Sequence, residues 1–121
     1  MSLDAAARRR YARQLLLGEI GEAGQKRLLT ARCRRGSAAD ADAFAVAAEY
    51  LRRAGCSIDE GGEEVRIPDA VAVSRFAGTT SLHETAAAVV GAFCAVEHIK
   101  ATLGLGDACE FPHALTLSSE G

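Results

Sequence analysis

Twelve consecutive residues, Thr85 to Val96, carry no charge, and they are followed at once by Glu97, His98 and Lys100. The run is too short, and too charged at its end, to cross a bilayer, whose hydrocarbon core needs about 20 apolar residues. Just before it, Ser81 and Glu84 stand at the spacing of a capping box, in which each side chain satisfies a backbone donor at a helix start. The spacing predicts a helix from Ser81 to about Leu103, stopped by Gly104, with a length of roughly 34 Å. Val89, Phe93, Val96, Ile99 and Leu103 form one stripe along it. Ala86, Ala87, Ala88, Gly91, Ala92 and Ala95 leave the other side smooth and apolar. A helix apolar nearly all round must be buried nearly all round. With 121 residues there is room for one domain, so one side of this helix is expected in the core and the other against a second subunit.

The remaining composition fits that picture. Hydrophobic residues make up 49% of the chain but aromatics only 5%, and Trp is absent. The core therefore has to form by close approach of alanine-rich helices rather than around bulky side chains. Asp4 can cap a first helix to about Leu17, with Gly18 as its stop. A shorter helix is expected from Glu22 to Thr30, burying Leu28 and Leu29. Asp40 can cap a third, in which Phe44, Ala47, Ala48 and Leu51 recur at helical spacing until Gly55. The period then changes. Cys56 to Ile58 and Glu64 to Ile67 flank Gly61-Gly62 and predict a short hairpin, and the alternation around Val71 and Val73 predicts a third strand. The tail has one strand-like piece, Ala114 to Leu117. The chain reads as a single domain, residues 1–121: a basic helical segment 1–35, a core 36–106 and a tail 107–121.

Several function classes are excluded at this level. Cys33, Cys56, Cys94 and Cys109 show neither a CxxC pair nor a disulfide framework, so they read as reduced structural thiols in a cytoplasmic protein. No cysteine has a histidine beside it in the chain, which argues against a cysteine-based transferase. His83 and His98 would sit about 22 Å apart on one helix and cannot share a metal, and His83-Glu84 lacks the second histidine of a zincin motif. No signal peptide is visible behind Arg8, Arg9 and Arg10. Residues 1–35 carry a net charge of +6 and residues 36–121 a net −8. That asymmetry suits either docking of basic helices on an acidic remainder or a small nucleic-acid-binding module. The segment's lack of aromatics other than Tyr11 disfavours the latter.

Arg10-Tyr11-Ala12-Arg13-Gln14, followed by Ile20-Gly21 and Gly24-Gln25, resembles the N-terminal signature of the ThiF/MoeB/HesA family, relatives of ubiquitin-activating enzymes. Ala47 to Gly55 is similar to the helix after that family's nucleotide loop, and Val89 to Gly106 is similar to its late helix. These segments cover about half of the chain in the family's order. The resemblance implies a Rossmann-like ancestry and a link to ATP- and magnesium-dependent adenylation of a ubiquitin-like sulfur carrier.

Departures from the family pattern redirect that expectation. Where relatives have a hydrophobic strand and a glycine-rich loop, this chain has Cys33-Arg34-Arg35-Gly36-Ser37-Ala38-Ala39-Asp40-Ala41-Asp42. Cβ atoms at Ala38 and Ala39 and the charges of Asp40 and Asp42 oppose phosphate binding. Asp59, Arg66, Asp69 and Arg75 read as surface charge. The resemblance does carry over Arg13, and with it Arg10, as residues reaching a partner's nucleotide across a dimer; the same arginines equally suit helix-surface ion pairs.

The expected fold is α+β, a remnant of a Rossmann-like domain in which N-terminal helices and the long late helix pack on a small three-stranded sheet. The expected function is that of a catalytically silent dimeric scaffold or regulatory partner, without a cofactor or metal of its own, in activation of a ubiquitin-like sulfur carrier. It would pair as a homodimer or with an active ThiF-like relative, away from nucleic acid and membrane. The alternatives are an ATP-dependent adenylyltransferase with a rearranged site and the nucleic-acid-binding module.

Overall fold

The computed structural model describes residues 21–112 and 115–117. The expected helix from Asp4 to Leu17, with Arg10 and Arg13, lies outside the described residues. The elements in order are α1 (Gly21–Thr30), β1 (Arg32–Arg35), α2 (Ala41–Ala54), β2 (Ser57–Ile58), β3 (Glu63–Val65), α3 (Ala70–Ala77), a 3-10 turn (Thr80–Leu82) and α4 (His83–Thr102). The architecture is α+β, a helical layer on a three-stranded parallel sheet of order β2-β1-β3.

Residues 32–35 form the central strand although they make no hydrophobic run. Of its four residues only Cys33 is buried, at 0% exposure. The arginines around it are compatible with a central strand because each reaches an acceptor. Arg32 pairs with Asp59 at 2.8 Å, Arg34 with Glu64 at 3.5 Å, and Arg35 donates to the Ala39 carbonyl at 2.7 Å. The strand's charges are met from β3 and the loops.

The expected hairpin is corrected. β2 and β3 both run parallel to β1, on opposite sides of it, with Cys33 level with Ile58 on one side and with Glu63 on the other. Four residues join them across β1, folded by a turn in which Gly61 N–H donates to Asp59 Oδ1 at 2.7 Å and Gly62 N–H to Asp59 O at 2.9 Å. Gly62 passes against the β1 backbone so closely that a Cβ would stand 2.5 Å from the Arg32 carbonyl carbon. The glycine pair that signals a hairpin thus serves a close crossing.

A second correction concerns residues 70–77, expected as a strand. They form α3, capped by Asp69, whose Oδ1 accepts from Ala72 N–H at 2.9 Å. Val73, Phe76 and Ala77 are buried while Val71 is 65% exposed, a helical pattern that the alternation of Ala and Val concealed. The tail forms no strand over residues 115–117. It lies over the end of α3 instead, where Leu117 N–H donates to Phe76 O and Thr116 Oγ1–H to Arg75 O.

α2 follows the sequence reading closely: Asp40 caps it, Ala43, Ala47, Ala48 and Leu51 are buried, and Gly55 ends it at φ +114°. Buried Gln25 on α1 binds it by donating from Nε2 to Ala54 O at 2.7 Å. Leu28 is fully buried, whereas Leu29 is only half-buried.

α4 spans the expected range, and Gly104 follows it at φ +77°. The capping box does not form. Ser81 lies in the 3-10 turn with its hydroxyl 3.1 Å from that of Thr79, and the first turn of α4 has no side-chain cap. The buried face is the smooth one, Ala86, Ala87, Val90, Gly91, Cys94, Ala95 and His98. Gly91 meets the backbone of α2 at Ala43 O and the side chain of Val46, leaving no space for a Cβ. Of the predicted stripe, Leu103 is buried and Phe93 and Ile99 are half-buried, whereas Val89 and Val96 are 40% and 49% exposed.

Two clusters make the core. One joins Leu28, Cys33, Leu51, Cys56 and Val65 to the end of α4 around Ala95 and Leu103. The other joins α3 and the tail to Ala86, Ala87 and Val90. In the second, the Phe111 ring meets Phe76 and Phe93 edge-on, with ring centres 4.7 Å and 5.3 Å apart. Among the described residues no helix is long and apolar enough to cross a membrane.

Candidate functional site

In open parallel sheets ligands bind beyond the carboxyl ends of the strands, where neighbouring strands depart to opposite sides. Here that point is the end of β1, flanked by β2 and β3. A cavity of about 600 Å³ opens there, lined by Arg34, Arg35, Ser37, Phe44 and Asp59.

The turn from β1 to α2 is closed on itself. Ala39 N–H donates to Gly36 O, Asp40 N–H to Pro68 O, and Ala43 N–H to Asp40 Oδ2 at 2.9 Å. Glu64 covers Gly36, such that a Cβ there would lie 2.5 Å from its carboxylate. The Arg35 guanidinium folds back on Ala39 O. A phosphate needs free backbone donors and a positive field at a helix start. Here the Ala39, Asp40 and Ala43 N–H groups are already bonded, and the carboxylates of Asp40 and Glu64 stand against an anion.

Of the residues read as surface charge, Asp59 pairs with Arg32, and Asp69 caps α3. Gly61 N–H and then Arg32 hold the Asp59 carboxyl below its usual range. Arg66 borders a separate cavity of about 300 Å³ with Glu64, Asp69 and Phe111. The candidate positions Arg10 and Arg13 fall outside the described residues.

A second grouping joins the N-termini of α2 and α4. Ligand-type atoms of Asp40, Asp42 and His83 lie within 4.8 Å of one another, and His83 Nε2 is 3.6 Å from Asp42 Oδ2. Asp40 already spends an oxygen on the α2 cap, and both carboxylates offset the positive end of that helix. His83 and His98 stand fifteen positions apart on α4, at its two ends, as the spacing required.

The third grouping was invisible to sequence reasoning. Cys33 from β1, Cys56 just before β2 and His98 from the last turns of α4 are buried in the interior, at 0%, 5% and 7% exposure. Cys33 and Cys56 belong to one core cluster, and Cys33 interacts with Cys56 and, more weakly, with His98. The Cys56 thiol, helped by the imidazole, pulls the Cys33 pKa down to about 5 despite burial and the opposing charge of Glu63. Cys56, the donor to that thiolate, is pushed up, and His98 is raised by its bond to Cys33 against the effect of burial. Cys94, buried nearby and facing Glu97, is pushed up to about 11 and stays a thiol. A histidine beside a cysteine in space replaces the absence of one in sequence. No local signal predicts it, since the three residues come from segments up to 65 positions apart. The only hint was that all three polar or polarisable groups occupy apolar positions of their elements.

No family model, curated protein or solved structure matches the chain.

Proposed function

We propose that the chain is a catalytically silent ThiF/MoeB/HesA-like protein that works in the cytoplasm as a dimeric scaffold or regulatory partner in activation of a ubiquitin-like sulfur carrier. The observation that carries this reading is the open face of α4. Thr85, Ala88, Val89 and Val96 are exposed along it, with no charge between Glu84 and Lys100 on that face. An exposed apolar helix face of this length suits a protein partner. The turn after β1 supports catalytic silence, because an adenylating enzyme has to bring backbone donors to phosphate, whereas here the Ala39 and Asp40 N–H groups are bonded to Gly36 O and Pro68 O and the Glu64 carboxylate covers Gly36.

The strand order supports a Rossmann remnant, since β2 and β3 take places beside β1 that neighbouring strands occupy on either side of the first strand in that fold. On the resemblance, Arg13 and Arg10 reach the partner's nucleotide, which requires no phosphate loop in this chain.

Calorimetric titration of ATP with magnesium, on protein whose mass has been set by light scattering, tests the reading. A dimer, or a monomer that dimerises with an active relative, giving no ATP heat is the expected result. Saturable magnesium-dependent binding by this chain alone would restore the adenylyltransferase reading. A strictly monomeric protein that pairs with no such relative would remove the scaffold.

A further inference from the structure

We propose that the outer edge of β3 and the groove beside it form a docking site for a basic peptide, which adds to the sheet as a fourth strand. This inference stands apart from the scaffold reading, which rests on the open face of α4.

β3 stands at the edge of the sheet. It pairs with β1 on one side, Glu63 to Val65 level with Cys33 to Arg35, and among the described residues no strand lies on the other. In a parallel ladder successive residues turn their backbone groups to opposite sides, so β3 keeps N–H and C=O groups on its outer side. Among the described residues no turn, loop or cap bond reaches the backbone of residues 63–67. Such a row is a template for another extended chain.

The groove has a second wall and a floor. Two cavities, of about 300 Å³ and 390 Å³, lie along β3 and share Glu64 and Arg66. Their far wall is the tail from Gly106 to Phe111, and α4 supplies the floor through Cys94, Glu97, His98 and Ala101. The tail is anchored to the helices: Cys109 N–H donates to Glu97 Oε1 at 3.1 Å, and the Phe111 ring packs edge-on against Phe76 and Phe93. It walls the strand edge without pairing with it.

Charge selects the occupant. The carboxylates of Glu63, Glu64, Asp69, Glu97, Asp107 and Glu110 line the groove, against Arg66 and the His98 ring. Glu64 is met by Arg34 and Glu97 by Lys100. Glu63, Asp107 and Glu110 are exposed and have no ion-pair partner among the described residues. A second copy adding its own β3 would set Glu63 and Glu64 against their like, and charges on an edge oppose that pairing. A strand with arginine or lysine at alternate positions instead brings opposite charge to one face at every second residue. Its main-chain bonds supply affinity and its alternate side chains supply specificity.

The test uses the full chain and a fluorescein-labelled peptide of alternating arginine and threonine, read by fluorescence anisotropy. Saturable binding that weakens with added salt is expected, and no binding of the same peptide with glutamate in place of arginine. Two further peptides carry N-methyl groups, one at every arginine and one at every threonine. One of them should lose binding and the other keep it, because a single alternate set of N–H groups faces β3. Glu63→Lys with Asp107→Lys should weaken binding about ten-fold or more. Glu49→Lys with Glu84→Lys makes the same change of charge at exposed positions outside the groove and should leave binding unchanged; far-ultraviolet circular dichroism checks the fold of both variants. The proposal is overturned if folded protein fails to bind the arginine peptide, if the two N-methylated peptides behave alike, or if the two pairs of charge reversals weaken binding equally.

Discussion

On one face of α4, Ala87, Gly91, Ala95 and His98 turn into the protein; on the other, Val89 and Val96 keep 40% and 49% of their surface in solvent. By hydrophobicity alone the valine face would be the core. Shape decides otherwise. Small residues let the α2 backbone come up to Gly91, and the area buried by two helices in close contact exceeds what a few valines could bury across a wider gap. The larger side chains remain outside, available for a partner.

This comparison can be broken most forcefully at Gly91. A Cβ there would meet Ala43 O and Val46 at once, so Gly91→Val forces α2 and α4 apart. The expected loss is about 3 kcal/mol or more, at the upper end for overpacking, read as a fall in the urea midpoint. A variant of wild-type stability would show that the two helices are not packed through this glycine.

An intermediate effect should come from His98, on the same buried face. The Cys33 pKa is lowered from 9.0 to about 5 in the fold, and that of His98 is raised above 6.5. Between pH 5 and 6.5 the unfolded chain holds a proton on each group while the folded protein holds one between them, so stability rises with pH. The slope is at most about 1.4 kcal/mol per pH unit, the limit for one proton. Above pH 6.5 the unfolded histidine has released its proton and the rise levels off until folded His98 follows. Cys56→Ala should flatten the rise most and His98→Asn less, in the order of their pull on Cys33, as measured by urea midpoints across that window. An unchanged profile would mean that Cys33 is not ionised in the folded protein.

The smallest effect on stability is expected on the open face. Val89→Glu with Val96→Glu should change folding free energy by no more than about 0.5 kcal/mol per site, yet convert a dimer to a monomer in light scattering. If the pair instead unfolds the chain, the valine face is core after all and the distinction between the two faces disappears.

How far the sequence foretold this follows from range. α2 was legible from end to end because its cap, its apolar spacing and its terminal glycine are all local. The extent of α4 was legible for the same reason, but not its orientation, since a helix apolar on every side does not say which side a neighbour chooses. The strand-like peptides 56–58 and 64–67 were in the right region, and their partner was not. Alternation reports an extended chain, whereas pairing with β1 depends on residues more than twenty positions away. α3 was missed because alternating Ala and Val imitate a strand, although Pro68-Asp69 supplied a turn and a helix cap just before it. The Cys33–Cys56–His98 grouping lay beyond any local pattern. In the turn after β1, Glu64, from β3, fills the space above Gly36, a contact between residues 28 positions apart that no local pattern announces.

α4 and α2 each enter both core clusters, α4 through Ala95 at one end and Ala86, Ala87 and Val90 at the other, α2 through Ala47 and Leu51 and through Ala43. Neither cluster can come apart without releasing the same pair of helices. The described part of the molecule is thereby denied a stepwise route of disassembly: α1 with the sheet and α3 with the tail are joined through a common spine, and amide protons at the middle of α4 exchange with solvent only when the whole structure opens.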